Sequence, residues 1–285
     1  MNTNTNTTIN ASAEVKHNLY THGGIFHADD VFSTALLQLL WGVENCSINR
    51  VFSVNGIELT ENDIVFDIGL GEFDHHQEEK EYHADGTPYA AFGKLWRKFG
   101  ATFFDGDEEA AKKIEEHLVI PIDKQDNGET RNLLSESIKE FNPCWNEDNS
   151  PAAQMESFMT AVGFARAILD REIKKLQATI AATEETQAAA SSSINGVMVL
   201  ERYVPITKDI PANVMFAIYP ALRGGYNLNC IPKDDGTFGS RKLLPASWLS
   251  NKPVGCTFVH QGRFIAAFER KEDAIEAAMT LNKEV

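Results

Sequence analysis

Apolar and polar positions follow two rhythms along the first half of the chain. Residues 18–21, 47–54 and 63–67 are short runs of strand character, whereas Val31, Leu36, Leu37, Leu39 and Leu40 recur at helical spacing. Asp29 or Asp30 stands where that helix takes its N-cap. Further helices are predicted around 90–99 and 107–117, and residues 122–128 read as an apolar start leading into a turn. From 151 to about 183, Met155, Phe158, Met159, Val162, Ala165, Ile168 and Leu169 mark one or two helices. Strands alternating with helices imply a mainly parallel sheet with right-handed crossovers.

The pattern changes after residue 177. An alanine-rich stretch ending in Ser191-Ser192-Ser193 reads as a solvated helix fraying into a linker. Beyond it, residues 196–204, 214–219 and 226–231 read as strands, and 257–268 as two more turned at Gln261-Gly262. A last helix over 272–282 places Ala274, Ile275, Ala278, Met279 and Leu281 inward. The fold class is therefore α/β: an amino-terminal domain with a mainly parallel sheet flanked by helices, plus a smaller carboxyl-terminal α/β domain. The expected divisions are a disordered tail (1–16), a first domain (17–183), a linker (184–195) and a second domain (196–285).

Composition narrows the picture. With 285 residues, 43% of them hydrophobic, the chain can bury a sizeable core. Forty-one acidic against 26 basic residues leave a net charge of -15, which repels nucleic acid at long range; binding it would need a local basic patch or bound cations. Cys46, Cys144, Cys230 and Cys256 form no C-x-x-C pair and suit buried thiols in a reducing compartment. No run reaches a membrane span, and residues 1–12 lack the features of a secretory or transit signal, so a cytoplasmic location is expected.

Histidines and aspartates gather at the predicted strand ends. His22, His27 and Asp29 follow the first strand, Asp67 ends the third, and Asp74-His75-His76 lies seven residues on. Ligands of parallel sheets collect at such ends. Imidazole with carboxylate and no sulfur disfavours structural zinc and calcium, and makes manganese the first choice of divalent ion. Two carboxylates ~5 Å apart at an effective dielectric of ~20 repel by about 3 kcal/mol, so such a cluster calls for cations. Two ions could clamp an in-line displacement at phosphorus. Each residue also has a plain alternative: Asp29 as a cap, Asp123 and Asp126 as turn formers before Gly128, and Gly23-Gly24 as a tight turn. His17, His83 and His117 are assigned to solvent or structure, and Trp41, Trp96 and Trp145 to the core.

Several segments carry a family resemblance. They are residues 21–30 (Thr-His-Gly-Gly-Ile-Phe-His-Ala-Asp-Asp), Asp67-Ile68-Gly69, Phe73-Asp74-His75-His76-Gln77, Asp123-Lys124-Gln125-Asp126-Asn127-Gly128, Asn142-Pro143-Cys144-Trp145-Asn146, Cys230-Ile231-Pro232-Lys233 and residues 255–260. The chain resembles the DHH phosphoesterase superfamily and, within it, the family of the melanocyte proliferating gene product, a 3′-5′ RNA exonuclease in animals. The resemblance implies two metals. One would be held by His22, His27 and Asp67, and the other by Asp29, Asp67, His75 and Asp126, with Asp67 bridging and Asp123 the alternative to Asp126. Asp74 would orient a histidine, and His76 would be a ligand or contact the substrate phosphate. Arg241, matching an arginine of the family's pattern, would hold phosphate in the second domain, with Lys233 and His260 as further candidates.

Three readings follow. The first is a manganese-dependent phosphodiesterase acting exonucleolytically on single-stranded RNA or short oligonucleotides through a two-metal-activated hydroxide. The second is a hydrolase of a small phosphorylated metabolite such as a dinucleotide, a nucleoside phosphate or polyphosphate. The third is an inactive metal-binding scaffold. None involves a membrane, and a homodimer is compatible with each.

Overall fold

The computed structural model describes residues 15–206, 210–233 and 239–283. The expected tail lies outside the described residues as far as residue 14. Contacts divide the chain into two compact units, one ending at Lys175 and the other beginning at Leu176.

In the first unit, β1 (His17–His22), β2 (Cys46–Val51) and β3 (Ile64–Val65) form a parallel sheet in the order β2-β1-β3. Leu19 lies opposite both Ile48 and Ile64, so the central strand is set by apolar and β-branched neighbours. Helix α1 (Ala28–Trp41) makes the crossover from β1 to β2. Its Val31, Phe32, Ala35, Leu36 and Leu37 are fully buried, and so are Ser33 and Thr34 on the remaining sides. It is therefore an enclosed helix rather than a one-sided one, which is why its apolar residues cover more than one stripe. Complete burial of a Phe or Leu is worth about 1.5–3 kcal/mol, and this core also holds Phe26, Phe66, Phe92, Leu95 and Trp96.

Helices α2 (Ala91–Phe99) and α3 (Glu108–Ile114) lie where the periodicity predicts them. Asp107 caps α3 by accepting from the Ala110 N–H at 3.0 Å. The next segment departs from the prediction. A π-helical turn (Glu115–Val119) carries α3 directly into α4 (Ile120–Asp126), so Asp123 and Asp126 lie on a helix and not in a turn. Pro121, which has no N–H to give, comes directly after the π-helical turn, and Ile120 and Ile122 are buried. The turn comes only afterwards, at Gly128 (φ 75). Helix α5 (Leu133–Lys139) is capped by Asn132, whose side chain accepts from Leu134 and Ser135. Helix α6 (Pro151–Ser191) is continuous through the alanine-rich stretch read as a fraying linker.

In the second unit, β4 (Val197–Val199), β5 (Phe216–Pro220), β6 (Tyr226–Cys230), β7 (Cys256–Val259) and β8 (Ile265–Phe268) form a sheet in the order β4-β5-β6-β8-β7. The β4–β5 pair is parallel and the other pairs antiparallel. Phe216, Ile218, Leu228 and Phe268 pack with Ala274, Ala278 and Leu281 of α7 (Lys271–Lys283). Ala217 and Tyr219 on the opposite face pack with Met198, Ile231, Ala182 and Ala190. No helix among the described residues is long and apolar enough to cross a membrane. Of the three tryptophans assigned to the core, Trp96 is buried, while Trp145 is 93% exposed on the loop before α6.

Candidate metal centre

The carboxyl ends of two neighbouring parallel strands meet the start of a helix in the first unit. His22 closes β1, Asp67 follows β3, and Asp29 and Asp30 lie in the first turn of α1. The loop joining β1 to α1 is pinned on both sides of Phe26. Asn142 accepts the Phe26 N–H at 3.0 Å and donates to its carbonyl at 2.9 Å. Arg50 donates to the Gly24 carbonyl at 2.7 Å, with its guanidinium 4.6 Å from the Phe158 ring centre. Asn142 opens one of the resembling segments, whereas Arg50 lies in none of them.

Asp67 sits in the left-handed region (φ 55), where a non-glycine residue costs about 1–3 kcal/mol. Its N–H donates to the Phe73 carbonyl at 3.0 Å, so the chain folds back immediately and delivers Asp74-His75-His76 beside it. Asp74 fixes this turn: it accepts the Leu70 N–H at 2.6 Å and the His76 N–H at 3.1 Å, and lies 2.7 Å from His76 Nδ1. These bonds hold its carboxyl below the usual range although burial opposes them.

The side chains converge. His22 Nε2 is 3.1 Å from both Asp30 and Asp67; His75 is 3.3 Å from Asp67 through Nδ1 and 3.0 Å from Asp126 through Nε2. His27 Nδ1 lies 4.0 Å from Asp126. Three sets of donor atoms are close enough to share a cation: His22 with Asp30 and Asp67; His27 with Asp29 and Asp126; and Asp67 with Asp74, His75 and His76. Asp30, considered from sequence only as a cap, thus joins His22 as a candidate ligand. It also accepts the His27 N–H at 3.0 Å.

Burial makes this cluster electrostatically costly. Asp29 and Asp30 are fully buried and Asp67 nearly so. Burial raises the Asp29 carboxyl well above its usual range, and Asp67, Asp126 and Asp30 raise it further. Asp67 is also raised by burial, with His22 opposing. Burial would lower His22, but Asp30 and Asp67 overrule it and push it up to about 11. Both Asp29 carboxylate oxygens are buried without a hydrogen-bond partner, and Asp30 Oδ2, Asp67 Oδ1 and His75 Nδ1 are buried with only poorly aligned imidazole–carboxylate contacts, His22 to Asp30 and His75 to Asp67. Buried polar groups are nearly always satisfied, so donors left open around one point fit a cation. The cluster can hold divalent metal. It opens into a cavity of about 690 Å³ whose wall also includes Ile25, Gln77, Lys80 and Asn127.

Asp123 is placed differently. It is completely buried, 2.8 Å from His83 Nε2, and accepts the N–H groups of Ala90 and Gly93. His83 Nδ1 lies 2.7 Å from Glu115. Burial alone would lower His83, but Asp123 and Glu115 raise it to about 9. Of the two aspartates left open by sequence, Asp126 faces the cavity and Asp123 anchors its helix.

The three proposed phosphate contacts lie in the second unit. The Arg241 guanidinium donates to the carbonyls of Ile210, Pro211 and Val214. Lys233 is exposed, and His260 is exposed with Nδ1 accepting the Gly262 N–H at 2.9 Å.

Residues 18–281 match the family model MYG1_exonuc, described as Uncharacterised protein family (UPF0160), and the chain belongs to this family. It is 26% identical to a mouse protein named MYG1 exonuclease, across 90% of this chain and 83% of that one. The human protein of the same name is 24% identical, with 90% and 84% covered. A Saccharomyces cerevisiae MYG1 protein is 22% identical, with 95% and 97% covered.

Proposed function

We propose that, as a member of this family, the chain is a metal-dependent phosphodiesterase that removes nucleotides from the 3′ end of single-stranded RNA or short oligonucleotides. The observation that carries this reading is the set of buried carboxylates and histidines converging beside one cavity, close enough to share cations. The exonuclease names of the mammalian relatives supply the reaction class. Two divalent ions, manganese first, suit the donors: His22, Asp30 and Asp67 about one, and His27, Asp29, Asp126 and His75 about the other, with Asp67 within reach of His22 and His75. Bound there, such ions supply Lewis acidity and lower the pKa of water.

The chain's own residues have separate tasks in this reading. His76, held by Asp74 and more than half exposed, faces the substrate. Gln77, Lys80 and Asn127 offer polar contacts at the cavity wall. Lys233 and His260 are the exposed phosphate contacts of the second unit. Arg241 keeps the strand-connecting segment 210–214 in place through its bonds to the Ile210, Pro211 and Val214 carbonyls. The four unpaired cysteines accord with a reducing, cytoplasmic setting.

The test is manganese-dependent cleavage of end-labelled single-stranded RNA, with a dinucleotide in parallel and His75→Ala as control. A ladder shortening from the 3′ end and lost in the variant is expected. Cleavage of the dinucleotide alone would move the function to small phosphodiesters, the reading that the -15 net charge favours. Manganese binding without cleavage of either would turn the search to phosphomonoesters and polyphosphate, with the scaffold reading next.

A further inference from the structure

On the second unit, a cavity of about 660 Å³ opens over the sheet face opposite α7. Its floor is a cross-strand row: Tyr219 pairs with Asn227, Asn227 with Ala267, and Ala267 with Phe258. Tyr203 stands at its edge, its ring centre 5.3 Å from that of Tyr219 and inclined at 61°. Tyr203 is 56% exposed, Phe258 51% and Leu222 98%, an unusual gathering of large apolar side chains in solvent. Asn227, directly across from Tyr219 on the neighbouring strand, brings a side-chain amide to this lining. In a chain of net charge -15, this lining contains no carboxylate and one charged group, Arg223, which pairs with no acid among the described residues.

Flat exposed rings, a small residue on the floor, an amide and a lone guanidinium are the chemistry that receives a heterocyclic base with an attached phosphate. Stacking accepts any base, and the cation serves the backbone. We infer that this cavity is a base-stacking site for single-stranded oligonucleotide, with Tyr203 and Phe258 as the ring contacts and Arg223 the phosphate contact. The ligand class rests on the nuclease reading above. The site itself is separate from the metal ligands and contains none of the residues given a part in cleavage.

Fluorescence anisotropy tests it, using manganese-loaded protein and a labelled phosphorothioate oligouridylate that resists cleavage. Tyr203→Ala and Phe258→Ala are each expected to weaken binding by about 5- to 100-fold. Binding of an abasic oligonucleotide of equal length should not change in either. Arg223→Ala should weaken both ligands and steepen neither's loss with salt. Hydrolysis of a dinucleotide should be unaltered in all three variants, which also shows that they fold. Unchanged oligouridylate binding by both ring variants, with RNA cleavage intact in the parent, would overturn the site and leave the nuclease reading standing. Ring-dependent binding by a parent that cleaves no RNA would support the site and sink the nuclease reading. Failure of the parent to bind either oligonucleotide would overturn the site.

Discussion

At the scale of single residues, Asp123 and Asp126 make the sharpest contrast. They are three positions apart on α4, yet one is sealed against His83 and two backbone N–H groups while the other faces the cavity. Asp126→Asn is expected to abolish the manganese-induced rise in melting temperature. Asp123→Asn should do the opposite. It leaves His83 with Glu115 as its remaining acidic neighbour, lowers the melting temperature without metal, and retains a metal response. Thermal melts of both variants with manganese and with chelator decide the matter, and the reverse pattern would transfer the ligand role to Asp123. Gly93→Ala is a second probe, because a Cβ there would overlap the Asp123 carboxylate. It should lower the melting temperature by several degrees and weaken manganese binding together, as read by melts and titration calorimetry.

At the scale of elements, the segment after the Asp-His-His turn acts as a brace for the end of α4. His83 bonds Asp123, Lys124 reaches Asp85 at 2.9 Å, and Asn127 donates to the Pro88 carbonyl at 3.1 Å. Glu115, on the π-helical turn, holds the other side of His83, while the Tyr89 ring lies 3.7 Å from the imidazole. Because His83 is raised from 6.5 to about 9, its contribution to stability is full below pH 6.5 and is lost as pH rises through about 9. His83→Gln is therefore expected to remove part of the parent's fall in melting temperature between pH 6.5 and 9. Superimposable parent and variant profiles would contradict it. The strands, α1 and α2 were legible because burial imposes a period on them. The helical state of α4 was not. Its Asp-Asn-Gly ending and Pro121 are turn signals in isolation, and only burial of Ile120 and Ile122 against the rest of the unit overrides them. For the site, sequence could locate the histidines and acids at strand ends. It could not separate a ligand from an anchor on one helix, because that depends on which way each side chain points.

At the scale of the whole molecule, charge and substrate must be reconciled. Manganese is expected to raise the melting temperature, since an ion held by this cluster would stabilise only the folded state, and chelation to reverse the rise. Cleavage of RNA should weaken steeply as salt increases, whereas cleavage of a dinucleotide should change little. Equal salt slopes for the two substrates would remove the argument for strand binding. The backbone of Asp67 adds one more consequence. A residue held at positive φ, buried and surrounded by other carboxylates, is a place where the chain has been kept from its most relaxed arrangement. Asn or Gly at this position would sit more comfortably and carry no charge. Such a protein, stripped of metal, should outlast the parent on heating while being unable to respond to manganese. Selection for thermal robustness alone, with no demand for turnover, would then be drawn to position 67 and would disarm the molecule by making it sturdier.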